Sequence, residues 1–410
     1  MIADIERLYS INAGNMKRSV IRELLKLTSK PEIISFAGGL PAPQTFPVED
    51  LKKITLEILE KEGSKALQYG STEGDDMLKE EIIKFMEKDG TAGLTKENIL
   101  IVSASQQALD MTCKLFINPG DPVVIGLPSY VGTISAMRSY SARTIGINID
   151  DDGMDMDKLD AEITRLVVEC GAPKFIYVIP DFQNPAGITI SREKRERLLE
   201  IAYKHQVLIV EDSPYRSLRY NGEAVPSIYS LDKEGHTIGL YTFSKIFCPG
   251  LRLGWIVAPK EIINKYVIAK QAMDLCSPPF SQKIAAYYMK EGLLEERISK
   301  NVELYRVKKD AMLAALEKHM PKRPDLDWTK PEGGMFLWMR MPDFINMDDL
   351  FYKALDNNVA YVVGSAFYVN EGGKNTCRLN FSYPSLEDID EGMRRLGNVI
   401  REEIRAYENK

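Results

Sequence analysis

A chain of 410 residues is too long for one simple core and points to two domains, at least one of them with a large core. Its 44% hydrophobic and 27% charged residues are ordinary for a soluble globular protein, and a net charge of −6 leaves no basic excess to neutralise nucleic-acid phosphates. No apolar run approaches membrane-spanning length, and the N-terminus MIADIERLYS lacks the apolar core of a signal peptide. Residues 1–45 read as an N-terminal arm. Within it, residues 19–27 (SVIRELLKL) have helical apolar spacing at Val20, Leu24 and Leu27. The Gly/Pro-rich SFAGGLPAPQTFP that follows excludes a regular element, and residues 49–61 then read as a helix.

From about residue 98 the pattern changes to alternating strands and helices. NILIVSAS reads as a buried strand entering a helix near Ser105. PVVIGLP, TIGINI, KFIYVIP, QVLIVED and IGLYTFS are further short β-rich runs, and residues 192–205 form a helix between two of them. Nearly continuous apolar strands are covered on both faces, so residues 46–290 predict an α/β domain around a mostly parallel sheet. A helical stretch over residues 281–318 follows. GGMFLWMRM, VAYVVGSAFY and TCRLNFSYPS are then β-rich, and an amphipathic helix starts near Leu386. Residues 291–410 therefore predict a smaller α+β domain. Five scattered cysteines and three histidines form no metal-ligand pattern, so no metal is expected. An odd, unpatterned cysteine count fits a reducing cytoplasm.

The chemistry gathers at three strand ends. KFIYVIP runs into DFQNPAG, which places Asn184 just outside the sheet. QVLIV runs into EDSPY, which places Asp212 and Tyr215 there, and IGLYTF ends at Ser244-Lys245. If these strands are parallel neighbours, an amide, a carboxylate, a phenol and an amine converge where such sheets bind ligands. A carboxylate beside a lysine also describes a structural ion pair. The surroundings of Lys245 favour chemistry: an amine that attacks a carbonyl must be partly desolvated to be neutral. Thr242 and Ser244 flank it, and Arg252 follows a Pro-Gly turn, a set suited to a phosphate dianion. The helix entered at SASQQALD offers free N–H groups to an anion, although Ser105 could equally be an N-cap.

Taken together, the SxK–PGxRxGW, NPxG and EDxPY elements resemble those of the fold-type I pyridoxal 5′-phosphate aminotransferases of class I/II, in order and spacing. The likeness is greatest to the branch with 2-aminoadipate, kynurenine and archaeal aromatic aminotransferases. SFAGGLP, ALQYGSTEG, SQQALD and PEGGMFLW extend it over nearly the whole chain. The resemblance implies a pyridoxal 5′-phosphate enzyme that moves amino groups between amino acids and 2-oxo acids. In it Lys245 holds the cofactor and moves the proton, and Asp212 keeps the pyridine nitrogen protonated. Asn184 and Tyr215 bind the phenolic oxygen, and Tyr130 stacks on the ring. Ala104, Ser105, Gln106, Thr242, Ser244 and Arg252 hold the phosphate, helped by Tyr69 of a neighbouring subunit in a homodimer. Arg378 grips the substrate carboxylate, with Asn184 and Gly39 beside the substrate, and Arg22 faces its side chain. Relatives usually have glycine where this chain has Ala104, which narrows the backbone geometry near the phosphate.

Other chemistries on the same fold, such as a β-lyase, a decarboxylase, a condensing enzyme or alanine–glyoxylate-type transamination, remain alternatives. A regulator with an aminotransferase-like domain would need a DNA-binding domain, and only about 35 weakly basic residues precede SFAGGLP. A dehydrogenase is disfavoured because no GxGxxG follows the early strands.

Overall fold

The computed structural model describes residues 5–18 and 30–409. The helix expected over residues 19–27, and Arg22 within it, lie outside the described residues. In chain order the regular elements up to the central sheet are α1 (Ile11–Asn15), β1 (Ile34–Ser35), α2 (Val48–Ala66) and α3 (Asp76–Lys88). The sheet region comprises β2 (Ile99–Val102), α4 (Ala104–Phe116), β3 (Pro122–Leu127), α5 (Val131–Ser139), β4 (Arg143–Asp150) and β5 (Gly153–Met154). It continues with α6 (Met156–Glu169), β6 (Phe175–Val178), α7 (Arg192–His205), β7 (Leu208–Asp212), α8 (Ile228–Leu231), β8 (Thr237–Thr242) and β9 (Gly254–Val257).

These strands form one eight-stranded sheet in the order β2-β9-β8-β7-β6-β3-β4-β5. The core run β8-β7-β6-β3-β4 is parallel throughout. The period-two alternation of side chains builds two cores, one on each face. Val123 and Ile125 of β3, Phe175 and Tyr177 of β6, and Val210 of β7 enter the larger core. Val124, Ile176, Val178 and Ile209 enter the second, closed by Leu159, Ile163 and Leu166 of α6 and Leu198 and Leu199 of α7. Each such side chain contributes roughly 1.5–3 kcal/mol by leaving water. β3 is flanked by β4 on one side and β6 on the other, so the strand order reverses there, which is where open α/β sheets leave a crevice for ligands.

After the sheet come α9 (Lys260–Gln271), α10 (Pro279–Lys290) and α11 (Leu293–His319). The single helical stretch expected over residues 281–318 is thus two helices, broken at Gly292, whose φ of +74° is left-handed. β10 (Asp327–Trp328), β11 (Phe336–Arg340), α12 (Met347–Asp356), β12 (Val359–Ala360), β13 (Val362–Val363), β14 (Thr376–Asn380) and α13 (Leu386–Glu408) complete the chain. β10, β11, β14 and β13 make an antiparallel sheet. VAYVVGSAFY is therefore two short strands and a 3-10 turn rather than one strand. β1 pairs in parallel with β12, and the Asn380 N–H donates to the Phe36 carbonyl at 2.9 Å. The end of the N-terminal arm is thereby stitched to the C-terminal elements and carried across the carboxyl edge of the main sheet.

β9 escaped the sequence reading. GWIV is short, begins with glycine and runs antiparallel between β2 and β8. Gly254 is required there, because a Cβ would lie 2.5 Å from the Tyr241 carbonyl oxygen and 3.1 Å from the Ala104 backbone. Gly254→Ala should lower stability by about 2 kcal/mol, the usual cost of overpacking, as read by denaturant unfolding. An unchanged midpoint would show that the contact relaxes freely.

Candidate active site

Alternation along β7 sends two adjacent carboxylates to opposite faces. Glu211 turns toward the second core's side, where its buried carboxylate accepts the N–H groups of Ile228 and Tyr229 at 3.2 and 2.8 Å. Asp212 lies on the face of Val210, the register partner of Tyr177 on β6. That puts the Tyr177 phenol one step away, and its hydroxyl donates to Asp212 Oδ2 at 2.7 Å. Asp212 Oδ1 is buried without a hydrogen-bond partner. Burial pushes the Asp212 carboxyl up to about 7, against the opposing pull of the Tyr177 hydrogen bond.

The next strand ends supply the cations and donors. The Lys245 ammonium, just past β8, donates to the Gly39 carbonyl oxygen at 2.9 Å. Burial first, then the charges of Arg378 and Arg252, pull its pKa down to about 8. The shift raises the share of neutral amine near physiological pH. Arg378, on β14, is buried between the rings of Phe336 and Phe367, 4.1 and 5.1 Å from their centroids. Its two recorded hydrogen bonds go to neutral oxygens, Asn184 Oδ1 and the Ala37 carbonyl, both at 2.9 Å. Its Nε has no partner, and burial lowers its pKa to about 10. Asn184 Nδ2 in turn donates to the Tyr215 hydroxyl at 3.4 Å.

A buried ionic lock holds the two loops that carry Asn184 and Tyr215. Burial alone would raise the Asp181 pKa, but Arg195 and Arg216 outweigh it and hold the carboxylate below its ordinary range. Arg195 reaches it at 2.7 Å and Arg216 at 3.1 Å. Arg216 follows Tyr215 directly, and Asp181 lies three residues before Asn184, so the pair ties both side chains to one frame. Gln183 adds a bond from Nε2 to the Pro128 carbonyl at 2.7 Å.

Of the remaining expected residues, Ala104, Thr242 and Ser244 are buried and Gln106, Arg252 and Tyr69 are exposed. Ser103, not Ser105, caps α4, and its side chain makes no capping bond. Ala104 opens the helix at φ +63°, a left-handed value that accounts for a glycine preference at this position. Gln106 accepts from the Tyr130 hydroxyl at 3.3 Å. Thr242 donates to Ser244 Oγ at 2.9 Å beneath the Lys245 turn. Arg252 is exposed, left-handed at φ +54°, and donates to Pro249 O at 3.3 Å. Tyr69 is 78% exposed and stands apart from this network.

The family profile described as aminotransferase class I and II matches residues 32–396. The chain belongs to that family. It is similar to aromatic-amino-acid aminotransferase 1 of Thermococcus litoralis, with 46% identity over 402 residues, 98% of this chain and 96% of that one. It is 40% identical over 392 residues, 95% of each chain, to 2-aminoadipate transaminase of Thermus thermophilus. A crystal structure of Pyrococcus horikoshii kynurenine aminotransferase in complex with PMP matches with a TM-score of 0.94 at 45% identity, covering 98% of this chain and 99% of that one. The chain is a pyridoxal-phosphate-dependent aminotransferase of fold type I. Its buried groups fit that cofactor chemically: a carboxylate with one bare oxygen, a desolvated amine and helix-start N–H groups near hydroxyls. No helix among the described residues is long and apolar enough to cross a membrane.

Sequence reading missed Tyr177, Phe336, Phe367 and the Ala37 carbonyl. Tyr177 left a usable signal, since a tyrosine inside a strand buried on both faces needs a partner for its hydroxyl. The aromatic cover of Arg378 came from β11 and from the turn after β13, which only the fold brings together.

Two pH-dependent outcomes follow from the buried charges. The folded pKa of Asp212 lies above that of an unfolded aspartate, so stability present at low pH is lost as pH rises through about 7. In cofactor-free protein, Asp212→Asn should therefore gain on the order of 4 kcal/mol at pH ~8, with the gain building from about pH 4. Denaturant unfolding across pH checks this, and a loss of stability at every pH would refute it. Acylation of Lys245 in the cofactor-free protein, followed by peptide mass spectrometry, should rise with a midpoint near pH 8. A midpoint near that of a free lysine, about 10.4, would mean that the amine is not desolvated.

Proposed function

We propose that this aminotransferase moves the amino group of an L-amino acid, aromatic, 2-aminoadipate or glutamate, to a 2-oxo acid such as 2-oxoglutarate by a ping-pong mechanism. The observation that carries this reading is the pairing of a desolvated Lys245 amine with a buried Arg378 whose recorded hydrogen bonds reach only neutral oxygens. A guanidinium held that way is suited to a planar carboxylate, and a substrate α-carboxylate would supply the missing charge. The names of the relatives, acting on aromatic amino acids, 2-aminoadipate and kynurenine, support the donor classes.

When bound, pyridoxal phosphate supplies an aldehyde that condenses with amines and a ring that takes up the electron pair released at the amino acid's Cα. The protein's share is binding, orientation and proton movement. Lys245 would anchor the cofactor and, once released by substrate, would serve as the base that takes the substrate Cα proton. Asp212 would hold the ring nitrogen through its unpartnered oxygen. Asn184 and Tyr215 would bind the phenolic oxygen, and Tyr130 would cover the ring. The start of α4 at Ala104, Ser105 and Gln106, with Thr242, Ser244 and Arg252, takes the phosphate. Arg378 and Asn184 orient the substrate beside Gly39. Tyr69 reaches the phosphate of a second subunit in a homodimer, a role consistent with its exposure in the single chain. Arg22 reads the distal group of the donor.

Lys245→Ala should lower turnover by about 10³-fold or more while the fold is kept, and an amino-donor screen against 2-oxoglutarate should show a new amino acid for each released 2-oxo acid. Release of ammonia or carbon dioxide in place of a new amino acid would overturn transamination. Arg22→Ala in the same screen should weaken acidic donors more than aromatic ones; equal losses would remove its selective role.

A further inference from the structure

Tyr177 is a fully buried phenol that the chemistry above leaves unused. Its ring belongs to the larger core, and its hydroxyl donates to Asp212 Oδ2 at 2.7 Å. Thr133, buried on α5, places its hydroxyl beside the same phenol. Asp212 has two oxygens, and they are not equivalent. Oδ2 is committed to Tyr177, and Oδ1 is buried and bare. A carboxylate with no fixed neighbour can rotate and can carry its proton on either oxygen. This one is fixed by a donor on the adjacent strand, through a register that sets Tyr177 opposite Val210.

We propose that Tyr177 is a positioning residue for the cofactor: its phenol occupies Oδ2 of Asp212, which holds the carboxylate as an ionised acceptor and leaves Oδ1 for the ring nitrogen. This rests on the reading of Asp212 as the partner of that nitrogen. Tyrosine suits the task because it does not compete for the proton. Burial and the Asp212 charge push the phenol well above its ordinary value, so it stays a donor across the working pH range. A neutral donor also leaves the full negative charge on Asp212 for the ring, whereas an ammonium or guanidinium at this place would spend that charge in an ion pair. The other titratable groups near this pair are Tyr215 on the loop that follows Asp212, with Arg378 beside it, and Tyr130, which faces both Tyr177 and Tyr215.

The test compares two ligands on cofactor-free protein: pyridoxal 5′-phosphate and its 1-deaza analogue, which has carbon in place of the ring nitrogen. Dissociation constants are measured for wild type, Tyr177→Phe, Asp212→Asn and the double variant, from pH ~6.5 to ~9. Wild type should prefer the nitrogen-bearing ligand, and Asp212→Asn should abolish that preference. Tyr177→Phe should reduce the preference about tenfold near neutral pH, with recovery toward pH ~9 as Asp212 ionises unaided. In the Asp212→Asn background the same change should leave the ratio of the two constants untouched. Equal weakening of both ligands by Tyr177→Phe would assign Tyr177 to packing alone and overturn the proposal. So would a preference that matches wild type at every pH. If Asp212→Asn keeps the preference, the failure lies in the role of Asp212 itself. Unfolding curves of each cofactor-free variant separate these outcomes from misfolding.

Discussion

Ionisable groups buried without opposite charges are the constraint on which this site depends. Asp212 and Arg378 are buried and Lys245 is half-buried, and the hydrogen bonds of each go to neutral groups. Burial is the largest influence on all three, raising the acid and lowering the two bases. A paired set would be more stable and chemically quiet, since an ion pair fixes both partners in their charged forms. Left unpaired, the groups sit where a cofactor and a substrate can complete them, and the rest of the fold supplies the stability that this arrangement gives up.

The sheet makes such an arrangement possible. Parallel strands end at one edge, so the loops after β6, β7 and β8 leave side by side. Alternation then sorts the side chains. Glu211 satisfies the start of α8 on one face while Asp212 enters the site on the other. The charges that do pair are kept out of the chemistry. Asp181, Arg195 and Arg216 form a buried lock whose members stabilise one another. Their work is mechanical: they join the loop of Asn184 to the loop of Tyr215, so two donors on different loops keep one spacing.

Much of this was legible in the sequence, and the missing parts share a cause. Strand cores such as KFIYVIP and QVLIVED announced themselves because continuous apolar runs have few other uses, and the residues just after them follow from strand direction. Asp212 and Lys245 were therefore placed by local pattern alone. β9 was not, because GWIV becomes a strand only by wedging between β2 and β8, with Gly254 pressed against Ala104. The helix break at Gly292 and the cap at Ser103 are one-residue geometric choices that periodicity does not resolve. Tyr177 was hidden in a different way. In a strand a tyrosine reads as an aromatic core residue, and only its register with Val210 shows that its hydroxyl meets Asp212.

The strap from Ala37 to Gly39 completes the argument about charge. Its carbonyls accept from both site cations, Ala37 O from Arg378 and Gly39 O from Lys245. A peptide carbonyl satisfies a desolvated donor without neutralising it, and it is a weaker partner than a carboxylate or a covalent bond. The strap therefore orders the two cations while leaving each open to a better partner. Because β1 pairs with β12 and Asn380 holds the Phe36 carbonyl, the strap is fixed to the same C-terminal elements that carry Arg378. Lys245 belongs to the other sheet. One short segment thus spans the two sheets at the point where the proposed substrate would lie between them, with glycine at residue 39 because the Phe336 ring comes within 3.2 Å of where a Cβ would stand. A Cβ there would make the strap or the Phe336 ring give by a few tenths of an ångström, so the smallest residue lets the strap lie close against the aromatic cover of Arg378.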